Sequence, residues 1–327
     1  MSLDTETGRD RYFEARDREL EQLIDSATGR VAAELVQEVP CPICGSGAHS
    51  PLFAKQGFTF VRCDACSLVF VNPQLKESVV LDEYRSAATN DLWFDVLASE
   101  RQQALDREKF AEVLDALEPH RGDARLLDVG CSLGLFLDLA RARGWHGIGL
   151  EIAPRALTYA RERYGLEVLE KPLSEAGFAA ERFDAVTLLS VLEHAPRPLD
   201  LLVECARVLR PGGALYVIVP NVESLACRVL HERARTFDGR NHLVYFSVPT
   251  LGDALRRAGF DVVSTATRIS SLDPILAYLA YGEPYRDDAD ASDPLGRWAD
   301  ERRPELERRI EDLGLGYKLH CLATKRR

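Results

Sequence analysis

Residues 125–152 read RLLDVGCSLGLFLDLARARGWHGIGLEI, in which two short apolar runs flank a segment of helical character. A short apolar run ends in a turn that carries Gly130 and Gly134, and a segment with helical character follows. A second short apolar run then ends at Glu151. Runs of this length bounded by glycine are typical of buried strands, so the stretch predicts a strand, a helix and a second strand.

The same alternation continues towards the C-terminus. Apolar runs such as FDAVTLLSV and GGALYVIVP alternate with helical segments such as PRALTYARERY and PLDLLVECARVL. Glycines at 144, 165, 212 and 259 follow the helical segments, where a left-handed residue commonly ends a helix. This pattern predicts an α/β fold with a mostly parallel sheet covered on both faces. Ligands of such sheets bind at the carboxyl ends of the strands.

The turn DVGCSLG is the first candidate binding site. Gly130 and Gly134 allow close approach of a ligand to the backbone, and the following helix start offers free N–H groups. Glu151, at the end of the next strand, is placed to accept the hydroxyls of a ribose. It lies 21 residues beyond Gly130, a spacing also found in dinucleotide-binding folds. At this point NAD and S-adenosylmethionine remain competing ligands.

Two later segments carry a family resemblance. ERFDAVTLLSVLEHAPRP and ECARVLRPGGALYVIVPN resemble the class I S-adenosylmethionine-dependent methyltransferases, and the resemblance covers about 123–324. It is closest to the branch that includes the ubiquinone-biosynthesis O-methyltransferases. The resemblance implies a Rossmann-like sheet whose last strand, GYKLHCLATKR, is antiparallel and paired at an edge. It also implies S-adenosyl-L-methionine as cofactor and S-adenosyl-L-homocysteine as product.

The resemblance assigns cofactor contacts one residue at a time. Asp128 orients the loop and the amino group of the cofactor, Glu151 holds the ribose, and Leu173 is a positional assignment near the adenine. Ser132 stands where the family's usual DxGxGxG pattern has its middle glycine, and Cys131 is expected to fill space. The complete expected set is Asp128, Gly130, Cys131, Ser132, Gly134, Glu151, Ile152, Leu173 and Ser190.

The resemblance also suggests the catalytic groups. His194 and His242 are candidates for the general base that removes a proton from a hydroxyl or an acidic carbon, with Glu193 beside them. In some relatives a Glu-His pair and a second His help bind a divalent ion, so Glu193, His194 and His242 are also a candidate metal site. Ser190 replaces a further acidic ligand of that site. The alternative for either histidine is a structural role.

A second motif precedes the methyltransferase-like region. Cys41, Cys44, Cys63 and Cys66 form Cys-x2-Cys-x18-Cys-x2-Cys, which matches a four-thiolate zinc site in a reducing compartment. Four protein ligands leave no open position, so the zinc is expected to be structural. Its binding would contribute on the order of 10–16 kcal/mol to a module too small to fold alone. A docking surface for substrate or partner is the alternative.

These motifs divide the chain into four parts. The expected parts are a helical segment (1–37), a zinc-ribbon module (38–73), a helical linker or cap (74–122) and the methyltransferase domain (123–327). In the cap, the segment 76–118 is expected to be helical, and Tyr84 and Trp93 are expected to cover the cofactor.

Composition limits the function classes. The net charge of −11 makes a nucleic-acid partner unlikely, because phosphate binding needs a basic surface. No apolar run reaches the length of a membrane span, and the N-terminus lacks a signal-like apolar region, so a cytoplasmic protein is expected. Oligomeric state is not indicated.

Three function classes remain after these steps. The first is methylation of a small-molecule acceptor, at a hydroxyl of a secondary metabolite, a sugar or a quinone-like precursor. The second is an RNA or protein methyltransferase that docks its substrate through the zinc module. The third is a noncatalytic regulator that binds S-adenosylmethionine. The acidic charge favours the first class over the second, and the complete set Asp128, Gly130, Gly134 and Glu151 favours catalysis over the third.

Overall fold

The computed structural model describes residues 6–86, 88–285 and 293–327. The strands of the described residues are β1 (Ile24–Asp25), β2 (Arg30–Val31), β3 (Val36–Gln37), β4 (His49–Lys55), β5 (Phe58–Cys63), β6 (Val69–Val71), β7 (Gln74–Leu75), β8 (Arg125–Val129), β9 (His146–Leu150), β10 (Val168–Leu169), β11 (Phe183–Leu189), β12 (Leu209–Pro220), β13 (Val244–Tyr245), β14 (Phe260–Arg268) and β15 (Lys318–Lys325). The helices are α1 (Arg9–Leu23), α2 (Glu77–Ser86), α3 (Ala88–Ala98), α4 (Glu100–Leu117), α5 (Leu135–Ala142), α6 (Pro154–Tyr164), α7 (Pro198–Val208), α8 (Leu225–Leu230), α9 (Val248–Arg257), α10 (Asp273–Leu279), α11 (Pro294–Glu301) and α12 (Arg303–Asp312).

A seven-stranded sheet with the order β10-β9-β8-β11-β12-β15-β14 forms the centre of the molecule. The first five strands are parallel, and β15 runs antiparallel to both of its neighbours. The predicted mostly parallel sheet with an antiparallel last strand is therefore confirmed. The prediction that this last strand lies at an edge is wrong, because β15 is inserted between β12 and β14, and β14 takes the edge.

Both faces of the sheet are covered. Leu126 belongs to a core that contains residues of α4, α5 and α6, whereas its neighbour Leu127 belongs to a core that contains residues of α7 and α9. Ala185 and Val186 divide between the same two cores. Successive side chains of a strand point to opposite faces, so these pairs confirm a sheet with apolar helices on each side.

Helix predictions from periodicity agree with the structure. The segment 76–118 forms α2, α3 and α4, and Val113, Leu114 and Leu117 of α4 are fully buried. Gly165 ends α6 with a φ of 62°, as expected for a left-handed helix cap. Gly212 differs from the expectation, because α7 ends at Val208 and Gly212 lies inside β12.

The N-terminal cysteine region folds as a hairpin of β4 and β5 followed by β6. The fourth strand of this sheet, β13, comes from within the predicted methyltransferase region and pairs with β6 through Val244↔Phe70 and Tyr245↔Val69. The predicted zinc-ribbon region and the predicted methyltransferase region therefore share a sheet. The domain boundaries at 37, 73 and 122 stay predictions.

The N-terminal helix α1 packs against both the hairpin sheet and the helical cap. Its Leu20 is buried in a third core together with Phe58 and Val71 of the hairpin sheet. Its Tyr12 stacks near Trp93 of α3, with ring centroids 4.8 Å apart. None of the helices in the described residues combines the length and the apolarity that a bilayer crossing needs.

Candidate functional site

A cavity of about 1920 Å³ opens where β8, β9 and β11 end and where β15 begins. Helices α1, α3, α4 and α10 contribute to its wall, including Trp93, which was expected to cover the cofactor. The side chain of Tyr84, assigned the same role, lies outside those that the structure describes. The predicted site residues that line the cavity are Asp128, Gly130, Cys131, Ser132, Glu151, Ile152, Leu173, Ser190, Glu193, His194 and His242.

The glycine turn after β8 is held tightly against its neighbours. Gly130 has a φ of 72°, and a Cβ at this position would lie 2.6 Å from Val191 Cγ2. Its N–H donates to the carbonyl of Leu150 on β9 at 2.8 Å. Asp128, just before the turn, is buried and accepts a 2.6 Å hydrogen bond from Thr187 Oγ1 on β11. The turn is therefore fixed to both strands that flank β8, and glycine is required at 130 by sterics as well as by backbone conformation.

Glu151 is organised by backbone N–H groups at the end of β9. Its Oε2 accepts from Ser132 N at 2.9 Å, and its Oε1 accepts from Ile152 N at 2.7 Å and from Ala153 N at 2.8 Å. Burial nevertheless raises the pKa of Glu151 above its usual value. Burial also raises the pKa of Asp128 to about 7, with a further contribution from the charge of Glu151. This pair forms a fixed, oxygen-rich edge at which polyol hydroxyls or an amino group can bind.

The remaining predicted cofactor residues have different surroundings. Burial raises the pKa of the Cys131 thiol, with the charges of Asp128 and Glu151 adding to the effect, so the thiol stays protonated. Leu173 is buried in a short 3-10 turn beside the cavity. Gly134 starts α5 with a φ of 81°, and a Cβ there would lie 2.5 Å from Leu166 Cδ1. Close packing of the start of α5 against Leu166 and Ala160 therefore explains why residue 134 is a glycine.

His194 and His242 meet at the cavity wall, with ring centroids 4.9 Å apart. The Nδ1 of His194 lies 2.9 Å from the carbonyl oxygen of Asn241, and the Nδ1 of His242 lies 2.9 Å from that of Thr236. A carbonyl can only accept, so each neutral ring carries its proton on Nδ1 and its lone pair on Nε2. Burial lowers the pKa of His194 to about 4, and burial also lowers the pKa of His242. Both rings are therefore neutral near pH 7.

Glu193 completes this cluster. It is 1% exposed, and neither carboxylate oxygen has a hydrogen-bond partner among the described residues. One ligand atom from each of Glu193, His194 and His242 can be chosen so that all three lie within 4.8 Å of one another. A buried carboxylate normally has partners, so this one is suited to pair with a cation or with an imidazolium.

Asp238 organises the loop that carries His242, and sequence reasoning missed it. Its Oδ1 accepts from the N–H groups of Arg240 at 3.1 Å, Asn241 at 2.8 Å and His242 at 3.1 Å. Its other oxygen lies 3.7 Å from Arg16 Nη1 of α1. The charge of His242 and then that of Arg16, against the opposing effect of burial, lower the pKa of Asp238 to about 2. An Asp followed by Gly-Arg-Asn is a turn signal that could have identified this residue.

Lys318 is a second residue that the sequence reasoning missed. It is the first residue of β15 and lines the cavity, with its Nζ 3.4 Å from Ser190 Oγ. Because β15 is antiparallel, its first residue lies at the rim where the parallel strands end. The expected antiparallel last strand was therefore itself the signal that could have placed Lys318 at the site.

The four cysteines of the N-terminal motif come together. Sγ of Cys41 lies 3.5 Å from Sγ of Cys66, and Sγ of Cys44 lies 3.4 Å from Sγ of Cys63. All four sulfurs lie within 4.8 Å of one another, and none forms a disulfide. Tetrahedral ligands at a Zn–S distance of about 2.3 Å have S···S separations of about 3.8 Å, so the donor set fits zinc.

Comparison with solved structures supports the fold. The putative methyltransferase in a complex with the Haloferax volcanii Trm112 methyltransferase activator matches with a TM-score of 0.51 at 21% identity. The match covers 72% of this chain and 98% of that one. At this identity the likeness shows the shared fold alone.

Curated relatives and a family model give the identity of the chain. The ubiquinone biosynthesis O-methyltransferase of Xanthomonas axonopodis pv. citri (strain 306) is 34% identical over 148 residues, 43% of this chain and 60% of the relative. The enzyme of the same name from Hahella chejuensis (strain KCTC 2396) is 38% identical over 101 residues, 28% of this chain and 41% of the relative. The chain thus spans about half of the length of the curated relatives it matches. The family model described as "Methyltransferase domain" matches residues 97–265, and the chain therefore belongs to this family of class I S-adenosylmethionine-dependent methyltransferases.

Proposed function

We propose that the protein methylates a hydroxyl oxygen of a small-molecule acceptor, and that the pair His194 and His242 supplies the general base. The observation that carries this proposal is the fixed orientation of both rings, each with Nδ1 against a backbone carbonyl. Both rings line the same cavity as the glycine turn and Glu151. The curated relatives named above are O-methyltransferases, which supports oxygen as the acceptor atom.

The cofactor would be held by the glycine turn and the end of β9. Bound S-adenosylmethionine supplies an electrophilic methyl group on a sulfonium. Gly130 allows the tight turn that places backbone groups at the strand rim, and Glu151 accepts from the ribose hydroxyls. Asp128, anchored by Thr187, orients the amino group, while Ile152 and Leu173 pack on the adenine. Holding both reactants in line can supply about 7–11 kcal/mol of the barrier.

Proton removal would follow from the buried histidine cluster. A neutral Nε2 accepts the hydroxyl proton, and the ring then becomes an imidazolium in a buried site. Glu193, which has no hydrogen-bond partner among the described residues, would stabilise that charge. Because the pKa of His194 is lowered to about 4, the base stays deprotonated well below pH 6.5.

The test uses the variants His194→Asn and His242→Asn. The assay follows transfer of a deuterated methyl group to a panel of phenols, catechols and sugars by mass spectrometry. The variant that lacks the base should lose about 10²–10⁴-fold in kcat. The exposed His231 serves as the matched control, and His231→Asn should keep full turnover. At saturating S-adenosylmethionine, where protonation of Asp128 no longer limits cofactor binding, wild-type kcat should remain level from pH 8 to about pH 5. Full turnover in both histidine variants over this range would show that neither residue removes the proton.

A divalent ion at Glu193, His194 and His242 is a second candidate role for the cluster. The buried carboxylate with no partner among the described residues favours it, as does the clustering of three ligand atoms. Elemental analysis of wild type and Glu193→Gln after loading with Mn²⁺ separates the two roles. Loss of one metal equivalent in the variant, with zinc content unchanged, would support the ion. If wild type and Glu193→Gln bind the same amount of metal and turnover does not respond to added metal, the cluster acts as a general base and not as a metal site.

For the zinc module we propose a structural role with four thiolate ligands. The spacing of the sulfurs supports zinc, and the shared strand β13 supports a scaffold for the loop before it. Retention on an RNA column at moderate salt would instead favour a docking role. Binding of S-adenosylmethionine without turnover of any acceptor would favour the noncatalytic regulator.

A further inference from the structure

Lys318 is a cation in the cavity wall that the chemistry described so far does not use. Its register partners are Pro220 of β12 and Arg268 of β14, so it lies at the strand rim. Its one hydrogen bond among the described residues goes to Ser190 Oγ, at 3.4 Å. Within the described residues, no carboxylate oxygen lies within 4.0 Å of its Nζ. The Nζ also lies 5.6 Å from the centroid of the Tyr317 ring. A partly buried ammonium whose neighbours are a hydroxyl and a ring face is suited to bind an anion.

Two other cations near Lys318 already have acidic partners. Lys109 of α4 lies 2.5 Å from Asp106, and Arg268 lies 3.1 Å from Glu112. Both cations line the same cavity as Lys318. Burial lowers the pKa of Lys318, and the charge of Glu193 opposes this effect. An anion bound beside Lys318 would likewise favour its charged form.

Strand order separates this position from the cofactor site. Glu151 follows β9, Gly130 follows β8 and Ser190 follows β11, in that order across the sheet. β15 lies two strands beyond β11 on the side away from β9. Neighbouring strands are about 4.8 Å apart, so the backbone of Lys318 is about 10 Å beyond β11. Its side chain reaches back to Ser190 and thus faces the space next to the cofactor, over β12 and β15.

We propose that the acceptor is a hydroxy acid, which binds its carboxylate at Lys318 while its hydroxyl faces His194 and His242. This inference rests on the proposed function and adds the substrate class. The carboxylate pairs with Lys318 Nζ, and Ser190 Oγ donates to the same anion. A charge-assisted contact of this kind sets orientation as well as affinity.

The experiment compares matched probes and matched variants. The probes are 3,4-dihydroxybenzoate and its neutral amide, and the variants are Lys318→Met, Lys318→Arg and Lys325→Met. Lys325 lies at the opposite end of the same strand and donates to the carbonyl of Leu209, so it controls for loss of a lysine from β15. Wild type and Lys325→Met should prefer the acid at least 10-fold in kcat/KM. Lys318→Met should abolish the preference through a higher KM, and Lys318→Arg should restore part of it.

Two further measurements distinguish a role of Lys318 in acceptor binding from a role in cofactor binding, and separate this inference from the proposed function. Calorimetry with S-adenosylhomocysteine should give equal affinity for wild type and Lys318→Met. A weaker affinity in the variant would assign Lys318 to the carboxylate of the cofactor and overturn the proposal. Binding of the acid to the S-adenosylhomocysteine complex is measured by saturation-transfer NMR, which needs no turnover. Acid binding that depends on Lys318 without methyl transfer would uphold this inference and refute the proposed function. Equal binding of acid and amide would overturn the inference.

Discussion

Replacing Asp238 by Asn should weaken both the fold and the reaction. The substitution keeps the shape of the side chain but removes the charge that three backbone N–H groups share. The loop it organises presents His242 directly and contacts His194 through the carbonyl of Asn241. The amide also faces Arg16 at the former ion-pair distance of 3.7 Å.

The size of the effect follows from the pKa of Asp238, which is lowered from 3.8 to about 2. At 1.36 kcal/mol per unit, this shift sets an upper bound of about 2.5 kcal/mol on what the ionised form contributes to the free energy of unfolding at pH 7, because the His242 ring that causes part of the shift is neutral there. For a chain of 327 residues this corresponds to a fall in Tm of at most about 4 °C. The stabilisation is present above the unfolded-state pKa of about 3.9 and is lost as the pH falls towards 2. A shift of the His242 loop by about 1 Å would also cost about 10²-fold in kcat.

Urea unfolding at pH 7 and at pH 2.5, together with methyl-transfer assays at pH 7, measures these effects. Asp261→Asn is the matched control, since Asp261 forms an exposed pair with Arg326 at 2.8 Å. Exposed ion pairs of this kind contribute about 0–1 kcal/mol to the free energy of unfolding. A loss of stability in Asp238→Asn that is as large at pH 2.5 as at pH 7 would contradict the electrostatic account. Wild-type stability together with wild-type kcat would refute the organising role altogether.

Three further changes test other parts of the structure. Glu151→Gln should weaken S-adenosylhomocysteine binding about 10- to 100-fold by calorimetry, because bonds to a charged acceptor are worth about 1.5–3 kcal/mol; unchanged affinity would remove Glu151 from the ribose site. Cys44→Ser should lose zinc and soluble yield together, measured by elemental analysis and gel filtration, whereas a folded, zinc-free protein would argue against the scaffold role. Gly134→Ala should lower the free energy of unfolding in urea by about 1–3 kcal/mol more than Gly165→Ala does. The reason is that only the Cβ at position 134 would meet a neighbour, Leu166 Cδ1 at 2.5 Å. Equal losses of stability would show that backbone strain alone explains both effects.

Local patterns predicted the parts of the fold that depend on near neighbours in sequence. The helical spacing of Val113, Leu114 and Leu117 and the turn around Gly130 each reflect contacts within a few residues or one strand–helix unit. Glu151 was found because it ends the next strand after that turn.

Long-range pairings explain what the sequence did not reveal. The insertion of β15 between β12 and β14 depends on pairing partners far along the chain, which periodicity does not encode. The expected antiparallel direction of β15 was enough to place Lys318 at the rim, whereas its neighbours Pro220 and Arg268 follow only from the strand order. Val244 and Tyr245 form a strand of only two residues, too short for any pattern, and it exists because β6 provides its partner.

The pairing of β6 with β13 also has a consequence for synthesis on the ribosome. The hairpin with its four thiols leaves the exit tunnel first, while the strand that closes its free side is encoded roughly 170 residues later. At translation rates of about 5–20 residues per second, that side stays open for about 9–35 s. An uncovered strand of three buried apolar residues, Val69–Val71, is a template for association between nascent chains during this interval. Lower growth temperatures slow translation and therefore lengthen the interval. Because the strand is exposed during this time, chaperone supply and early zinc loading should limit the soluble yield more than the stability of the folded protein does.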